Sequence, residues 1–289
     1  MVPAAVQNWV AENGYGVVVA AETIGGGCIS NGARITTASG DVFFLKTNSC
    51  APADMFAREA EGLDELDSGN NIGISTSPRV PRVYIFGKDY ILLEYIHSAA
   101  RKSDYWQKFG HELAAMHMIT NPRFGFQHDN YIGATPQLNP WTIDGFDFFA
   151  EQRLLFQARL ALDRRYLDQS EVQRTSVICR RLPELIPRQP ASRIHGDLWS
   201  GNAMADENGS PVLIDPAVNY CWAEAELAMT TLFGAFPESF FQAYQEVRQL
   251  APGYRERFPI YNLYHVLNHV NLFGRSYLSQ AISILNRYS

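Results

Sequence analysis

His195-Gly196-Asp197-Leu198-Trp199-Ser200-Gly201-Asn202 (HGDLWSGN, residues 195–202) sets an aspartate and an amide five positions apart, just behind a histidine. Transfer of a phosphoryl group from ATP needs such a pair. A carboxylate must align the acceptor hydroxyl and take its proton, and an oxygen ligand must hold Mg2+ on the phosphates. The spacing H-x-D-x-x-x-x-N assigns Asp197 to the first task and Asn202 to the second. Downstream, the apolar run Val212-Leu213-Ile214 ends in Asp215, where a second metal-binding carboxylate belongs. A polar turn followed by a coincidental aspartate is the competing reading. Neither half decides the matter alone; order and spacing together point to catalysis.

A phosphoryl-transfer site also needs a loop over the phosphates and a lysine, and both are expected upstream. Gly25-Gly26-Gly27-Cys28-Ile29-Ser30-Asn31-Gly32 lies between two β-rich runs, where backbone N–H groups approach phosphate oxygens with no Cβ in the way. It lacks G-K-[ST] and opens no helix, so it is not a Walker loop, and a plain turn is the alternative. Lys46 closes the strand VFFLK in the position of the V-A-I-K lysine that contacts α- and β-phosphates. A strand-end lysine reaching for solvent is the bland version. Its partner is expected on the helix ADMFAREAEGLDEL (53–66), with Glu59 the first choice and Glu61 the second, against a merely solvated helix face. The extended run LLEYI (92–96) then reads as a hinge, whose Glu94 and Ile96 offer backbone groups to adenine whatever their side chains. An ordinary buried strand is compatible with that.

The distribution of patterns supports two lobes. Residues 15–48 and 82–96 carry short β-branched and aromatic runs broken by Gly and Gly-Asp turns, predicting about five strands and one helix. From about Ser98 the period shifts toward 3.6, notably in 105–118, 146–167 and much of 223–284. The expected architecture is α+β and bilobal. A small antiparallel β N-lobe with one helix and the hinge spans 1–97, and a larger, mainly helical C-lobe carrying catalysis and acceptor binding spans 98–289.

The 289 residues, 46% hydrophobic and 19% charged, suffice for sizeable cores. A net charge of -6 and the absence of a basic stripe argue against a nucleic-acid partner and suit a small cationic substrate. Four cysteines without C-x-x-C pairing read as reduced thiols. With no apolar run near bilayer length and no secretory leader pattern, the expectation is a cytoplasmic protein with no membrane partner.

HGDLWSGN with its internal Trp199, GGGCIS, FLK, MFAREAEGL, DNYIGATPQLN (129–139), WTIDGFDFFAEQRL (141–154), IDPA, ELAMTTLFGAFPESFFQAY (226–244) and NHVNLFG (268–274) resemble segments of the fructosamine/ketosamine kinase family, in family order. That family is a branch of the aminoglycoside- and choline-kinase-like proteins, and the resemblance covers essentially the whole chain. It implies a protein-kinase-like fold and ATP-dependent phosphorylation of the sugar 3-hydroxyl of ketosamines. Ribulosamines or erythrulosamines would be preferred to fructosamines, free or protein-bound, in a deglycation or repair role. Lys46, Glu59, Asp197, Asn202 and Asp215 match the family positions for the roles given above. Two departures touch acceptor preference: Tyr220-Cys221-Trp222 where a Gly-His pair often stands, and Leu272 where some members carry a second histidine. The resemblance also implies that Cys28 supports redox control, including an intermolecular disulfide linking a homodimer; a small residue in a tight hairpin is the alternative.

Other residues carry two readings each. Trp199 either packs or stacks on the sugar or its amine, since indole faces attract cations. His269 reads as a satisfied core histidine, with acceptor contact as the minority reading. Glu224 and Glu226 read as a solvated helix start in preference to a capping carboxylate near the cleft, and Asp144 as the N-cap of the 146–167 helix in preference to a substrate role. Three other functions compete. A kinase of another small alcohol or amino-sugar would keep every ATP residue. A protein kinase lacks its D-F-G here, where the chain reads Asp215-Pro216-Ala217. A nucleotide-binding pseudokinase would not need Lys46, Asp197, Asn202 and Asp215 intact.

Overall fold

A computed structural model describes residues 2–25, 30–68 and 77–289. The N-terminal part begins with helix α1 (Ala4–Glu12), an addition to the strands expected there. Then come β1 (Val18–Ile24), β2 (Asn31–Thr37), β3 (Val42–Thr47), helix α2 (Met55–Asp67), β4 (Val83–Phe86) and β5 (Tyr90–Glu94). The strands form one antiparallel sheet of order β1-β2-β3-β5-β4. The pleat of β3 sorts its residues between two cores. Phe43 and Leu45 join Val6, Val10, Ile35 and Leu92 under α1. Phe44 and Lys46 face the other way, toward α2, and Phe44 packs against the main core.

Helix α2 buries Phe56, Ala60, Leu63 and Leu66 along one face at helical spacing. Its remaining polar residues are not simply solvated. Asp54, just before it, accepts from Tyr131 Oη at 2.6 Å, Glu61 pairs with His128 at 2.7 Å, and Glu65 accepts from Tyr220 Oη at 2.8 Å. Arg193 donates to the Glu65 carbonyl at 2.7 Å. All four partners lie in the C-terminal part of the chain.

That part runs α3 (Tyr105–His117), β6 (Thr120–Asn121), β7 (Asn130–Ile132), β8 (Thr135–Gln137), α4 (Gly145–Phe148), α5 (Phe156–Asp163), α6 (Gln169–Leu185), β9 (Ala191–Ile194), β10 (Ala203–Ala205), β11 (Pro211–Leu213), β12 (Asn219–Cys221), α7 (Ala223–Met229), α8 (Glu238–Val247), α9 (Tyr254–Phe273) and α10 (Leu278–Tyr288). The single helix expected over 146–167 is interrupted. Asp144 caps it, accepting from the Phe146 and Asp147 amides, but Phe149–Leu155 is π-helical between α4 and α5. The wider turn keeps Phe149, Leu154 and Leu155 in the core, and Arg153 there donates to the Leu138 carbonyl and to Asn139. No helix among the described residues is long and apolar enough to cross a membrane.

Small sheets position the chemistry. Strands β12-β9-β6 form one and β10-β11 another. Residues 195–202 therefore leave buried β9 and enter β10, while Asp215-Pro216-Ala217 leaves β11 and leads to β12.

Candidate active site

The two loops are stitched to each other by backbone and by one histidine. The Ala217 amide donates to the His195 carbonyl at 2.8 Å, and the Ile214 amide donates to the Asn202 carbonyl at 3.1 Å. Burial lowers the pKa of His195, so its ring is neutral. Its Nε2–H donates to the Ile214 carbonyl at 2.8 Å, which leaves Nδ1 to accept the Asp197 amide at 3.3 Å. Gly196 has φ +87°, and a Cβ there would collide with the Ala217 carbonyl. Only glycine lets the strands approach this closely. Asn202, itself buried, donates from Nδ2 to the Asp197 carbonyl at 2.8 Å and more loosely to its Oδ2 at 3.4 Å. The Asn202 Oδ1 remains for another ligand.

Across the cleft, Lys46 Nζ lies 2.5 Å from Glu59 Oε1 and 2.5 Å from Asp215 Oδ1. Burial by itself would lower the lysine's pKa; the charges of Asp215 and Glu59 outweigh it and hold the ammonium well above its ordinary range. Asp215 sits at φ 56°, left-handed backbone that aspartate tolerates better than most residues, although the proline after it restricts that choice further. Asp197 feels the opposite imbalance. Burial first, then the charge of Asp215, push its carboxyl up to about 7, with only Asn202 acting the other way by hydrogen bonding. Two carboxylates thus share one ammonium, and Asp197 lies beside them with no cation of its own.

The donor set fits a hard divalent cation. Asn202 Oδ1 and the Asp215 carboxylate are oxygen ligands, and Mg2+ characteristically takes one or two such protein ligands beside phosphate oxygens and water. Among the described residues there is no cluster of three or more His, Cys, Asp or Glu that would make a self-sufficient metal cage.

The other candidates are placed as follows. Glu61 pairs with Arg58 and His128, not with Lys46. Gly25 is exposed at the end of β1, and Gly32, at the far end of the glycine-rich stretch, pairs in register with Lys46. Gly26, Gly27 and Cys28 lie outside the described residues. At the hinge, Glu94's amide is engaged by the Arg82 carbonyl at 2.8 Å, which leaves its carbonyl side as the group to offer. The backbone of Ile96 makes no hydrogen bond among the described residues. The expectation that the Glu94 side chain matters little needs correction. Its carboxylate accepts from Arg79 Nη2 and from the Arg82 amide, and Arg79 also pairs with Asp206 (3.3 Å) and Glu207 (3.2 Å) on the β10–β11 turn. Trp199, 37% exposed, meets Phe233 edge-on at 6.3 Å, and Phe233 lies over His269 at 4.5 Å. Tyr277 completes this ring cluster, 4.9 Å from His269. Ser200 Oγ donates to the Phe233 carbonyl at 2.7 Å, tying the cluster to the 195–202 loop.

Glu224 and Glu226 are not a solvated helix start. Both are 2% exposed. Glu226 accepts from the Gly196 amide (2.7 Å), the His195 amide (3.1 Å) and His117 Nε2 (2.8 Å), and Tyr244 Oη bonds His117 Nδ1 at 2.8 Å. Glu224 takes Arg257 through both oxygens and Tyr261 through one. The sequence signal for this was the company of the two acids: all of α7, AEAELAM, is buried, as an all-round apolar helix should be. Phe233 and Tyr277 carried no such signal.

The family described as fructosamine kinase matches residues 1–289. A "probable ketoamine kinase" of Synechocystis sp. is 41% identical over 272 residues, covering 92% of this chain and 88% of that protein. The chloroplastic protein-ribulosamine 3-kinase of Arabidopsis thaliana is 37% identical over 289 residues, covering 98% and 87%. The crystal structure of a fructosamine-3-kinase candidate from Thermobifida fusca superposes with a TM-score of 0.86 at 34% identity, covering 98% of this chain and 97% of that one. A kinase-like fold, a loop and a lysine gathered at one cleft, and whole-length relatives of this kind lead to one conclusion: the chain belongs to the fructosamine kinase family and is a phosphotransferase that acts on a hydroxyl group.

Proposed function

We propose that this enzyme transfers the γ-phosphoryl group of ATP to the sugar 3-hydroxyl of ketosamines, ribulosamines and erythrulosamines foremost and fructosamines as well, and so serves deglycation in the cytoplasm. The observation that carries the reading is the meeting of Lys46 with Glu59 and Asp215 opposite the Asp197–Asn202 pair. Residues 1–97 act as the nucleotide lobe and 98–289 as the lobe of catalysis and acceptor binding. Adenine lies on the Glu94–Ile96 segment, and the phosphates lie under the stretch that begins at Gly25. Lys46, held by Glu59, contacts the α- and β-phosphates. Asn202 and Asp215 hold Mg2+, which when bound neutralises charge on the phosphates. Asp197 aligns the acceptor hydroxyl and receives its proton as the new O–P bond forms and the bond to the β-phosphate oxygen breaks. Positioning and charge neutralisation carry most of the acceleration.

The ring cluster of Trp199, Phe233, His269 and Tyr277 suits the amine of the ketosamine. His269 bonds the His265 carbonyl at 2.8 Å through Nδ1, which must therefore carry the proton. Burial lowers its pKa, so the ring is neutral and Nε2 is an acceptor beside the cluster. Cys28 is proposed as the redox-sensitive residue of a disulfide-linked homodimer; an oxidised dimer that survives Cys28→Ala would end that part. The main reading is tested by assaying ribulosyl-, erythrulosyl- and fructosyl-lysine with ATP and Mg2+, beside choline and an aminoglycoside. Turnover of ribulosyl-lysine above the other acceptors is expected. Preference for choline or the aminoglycoside would overturn it.

A further inference from the structure

We infer that a groove between α9 and α10 receives the peptide that carries the ketosamine and favours an acidic residue near the glycated lysine; this rests on the ketosamine reading above. The groove has a volume of about 490 Å3 and is lined by Thr231 and Leu232 after α7, Arg255 and Asn262 on α9, and Gln280 and Arg287 on α10, among others. No carboxylate lines it. Arg255 shares its charge with Glu238 at 2.5 Å, whereas Arg287, exposed in the last turn of α10, has no carboxylate partner among the described residues. On a chain of net charge -6, an exposed guanidinium with no carboxylate partner makes this end of the groove locally cationic.

Its position relative to the acceptor cluster follows from helix geometry. Helices α9 and α10 run antiparallel, as the bond from Tyr288 Oη to the Glu256 carbonyl at 2.9 Å requires. Asn262 and His269 are seven residues apart on one face of α9, a rise of roughly 10 Å, and Arg287 lies ten residues beyond Tyr277, a rise of roughly 15 Å. His269 and Tyr277 mark the cluster end, Arg255 and Arg287 the far end. Leu232 lines the groove, and the next residue, Phe233, lies on His269 and is bonded through its carbonyl to Ser200 of the catalytic loop. The groove therefore starts where the amine's seat stops. With the sugar at Asp197 and the amine among the rings, the four methylenes of a lysyl side chain bring the peptide backbone to the groove mouth. Extended chain advances about 3.3 Å per residue, so a carboxylate two positions away reaches the arginine end.

The test uses synthetic peptides with one ribulosyl-lysine and either Glu or Gln two positions to each side, beside free ribulosyl-lysine as a small acceptor. The wild type is expected to show a KM about three- to fivefold lower for the Glu peptide, at equal kcat and equal KM for ATP. Arg287→Gln should erase that difference and Arg287→Glu should reverse it, with free ribulosyl-lysine turned over unchanged. Equal KM values for the two peptides in the wild type, a preference that survives Arg287→Glu, or exclusion of both peptides while free ribulosyl-lysine is phosphorylated would each overturn the groove. Failure with every ketosamine, free or peptide-borne, would instead bring down the functional reading beneath it.

Discussion

On the cleft side of the 195–202 loop, Glu59 and Asp215 share a single ammonium, that of Lys46, and Asp197 has only the Asn202 amide as a side-chain donor. On the far side, Glu226 is met by two backbone amides and a neutral histidine, and Glu224 by a guanidinium and a phenol. The difference is one of completion. The far side is closed: each carboxylate has its donors within the protein, and Glu226 keeps a lowered pKa despite full burial because three N–H groups point at it. The near side is open: burial and then the charge of Asp215 push Asp197 up to about 7, and only the Asn202 hydrogen bond opposes them. A region whose charges balance only when something else arrives is a binding site. A region that balances by itself is framework, even when it lies one residue from the chemistry.

Substitutions on the two sides should therefore fail differently. The largest effect is expected of Asp197→Asn: turnover falls by about three orders of magnitude or more while nucleotide affinity, read by titration calorimetry, stays within a few-fold. Near-normal kcat in that variant would remove Asp197 from proton transfer. Glu226→Ala leaves buried amides and His117 without an acceptor. It should lower stability by about 3 kcal/mol, seen in urea unfolding, with a fall in kcat because the loop loses its anchor. Unchanged stability would mean that the far side is not the framework described here.

The pH response sharpens the same contrast. An acid whose folded pKa is raised binds more protons folded than unfolded, so its contribution to stability shrinks as pH rises from its unfolded value, near 4, through about 7. Asp197→Asn should then raise the midpoint of thermal unfolding at pH 8 and leave it nearly unchanged at pH 4. In the wild type, kcat/KM for the acceptor should drop about tenfold per pH unit on the acid side, where Asp197 is protonated. A flat acid limb would contradict this. The smallest effect belongs to Arg79→Ala, which unties Glu94 from the β10–β11 turn. Its partly exposed ion pairs are worth up to about 1 kcal/mol, so KM for ATP should rise no more than about fivefold and kcat should hold.

The legible parts of the site were those where chemistry dictates residue type at fixed spacing. Asp197, Asn202, Asp215 and Lys46 are the residue types that the proposed chemistry calls for, and a strand-turn pattern suffices to order them along the chain. Glu59 was readable because its helix follows the lysine strand. Five strands were readable because glycine-bearing turns punctuate β-branched runs. Helix α1 was not, since Val6 and Val10 gain their place only by covering Ile35, Phe43 and Leu92 from elsewhere in the sheet. The π-helical stretch was hidden for a similar reason: its hydrogen-bond register answers to Arg153's need for the Leu138 carbonyl and Asn139. Glu226 was misread because charge at a helix start usually means solvent, and only the tertiary position of α7 under the catalytic loop reverses that.

The bridges from Asp54, Glu61 and Glu65 to Tyr131, His128 and Tyr220 have a mechanical consequence. They fasten the helix bearing Glu59 to the larger part of the molecule, while Phe56, Leu63 and Leu66 on its buried face share one core with Ile91 and Leu93 of β5, so the helix rivets the sheet to that part. Glu59 is thereby held against Lys46 by packing and by polar bridges at once.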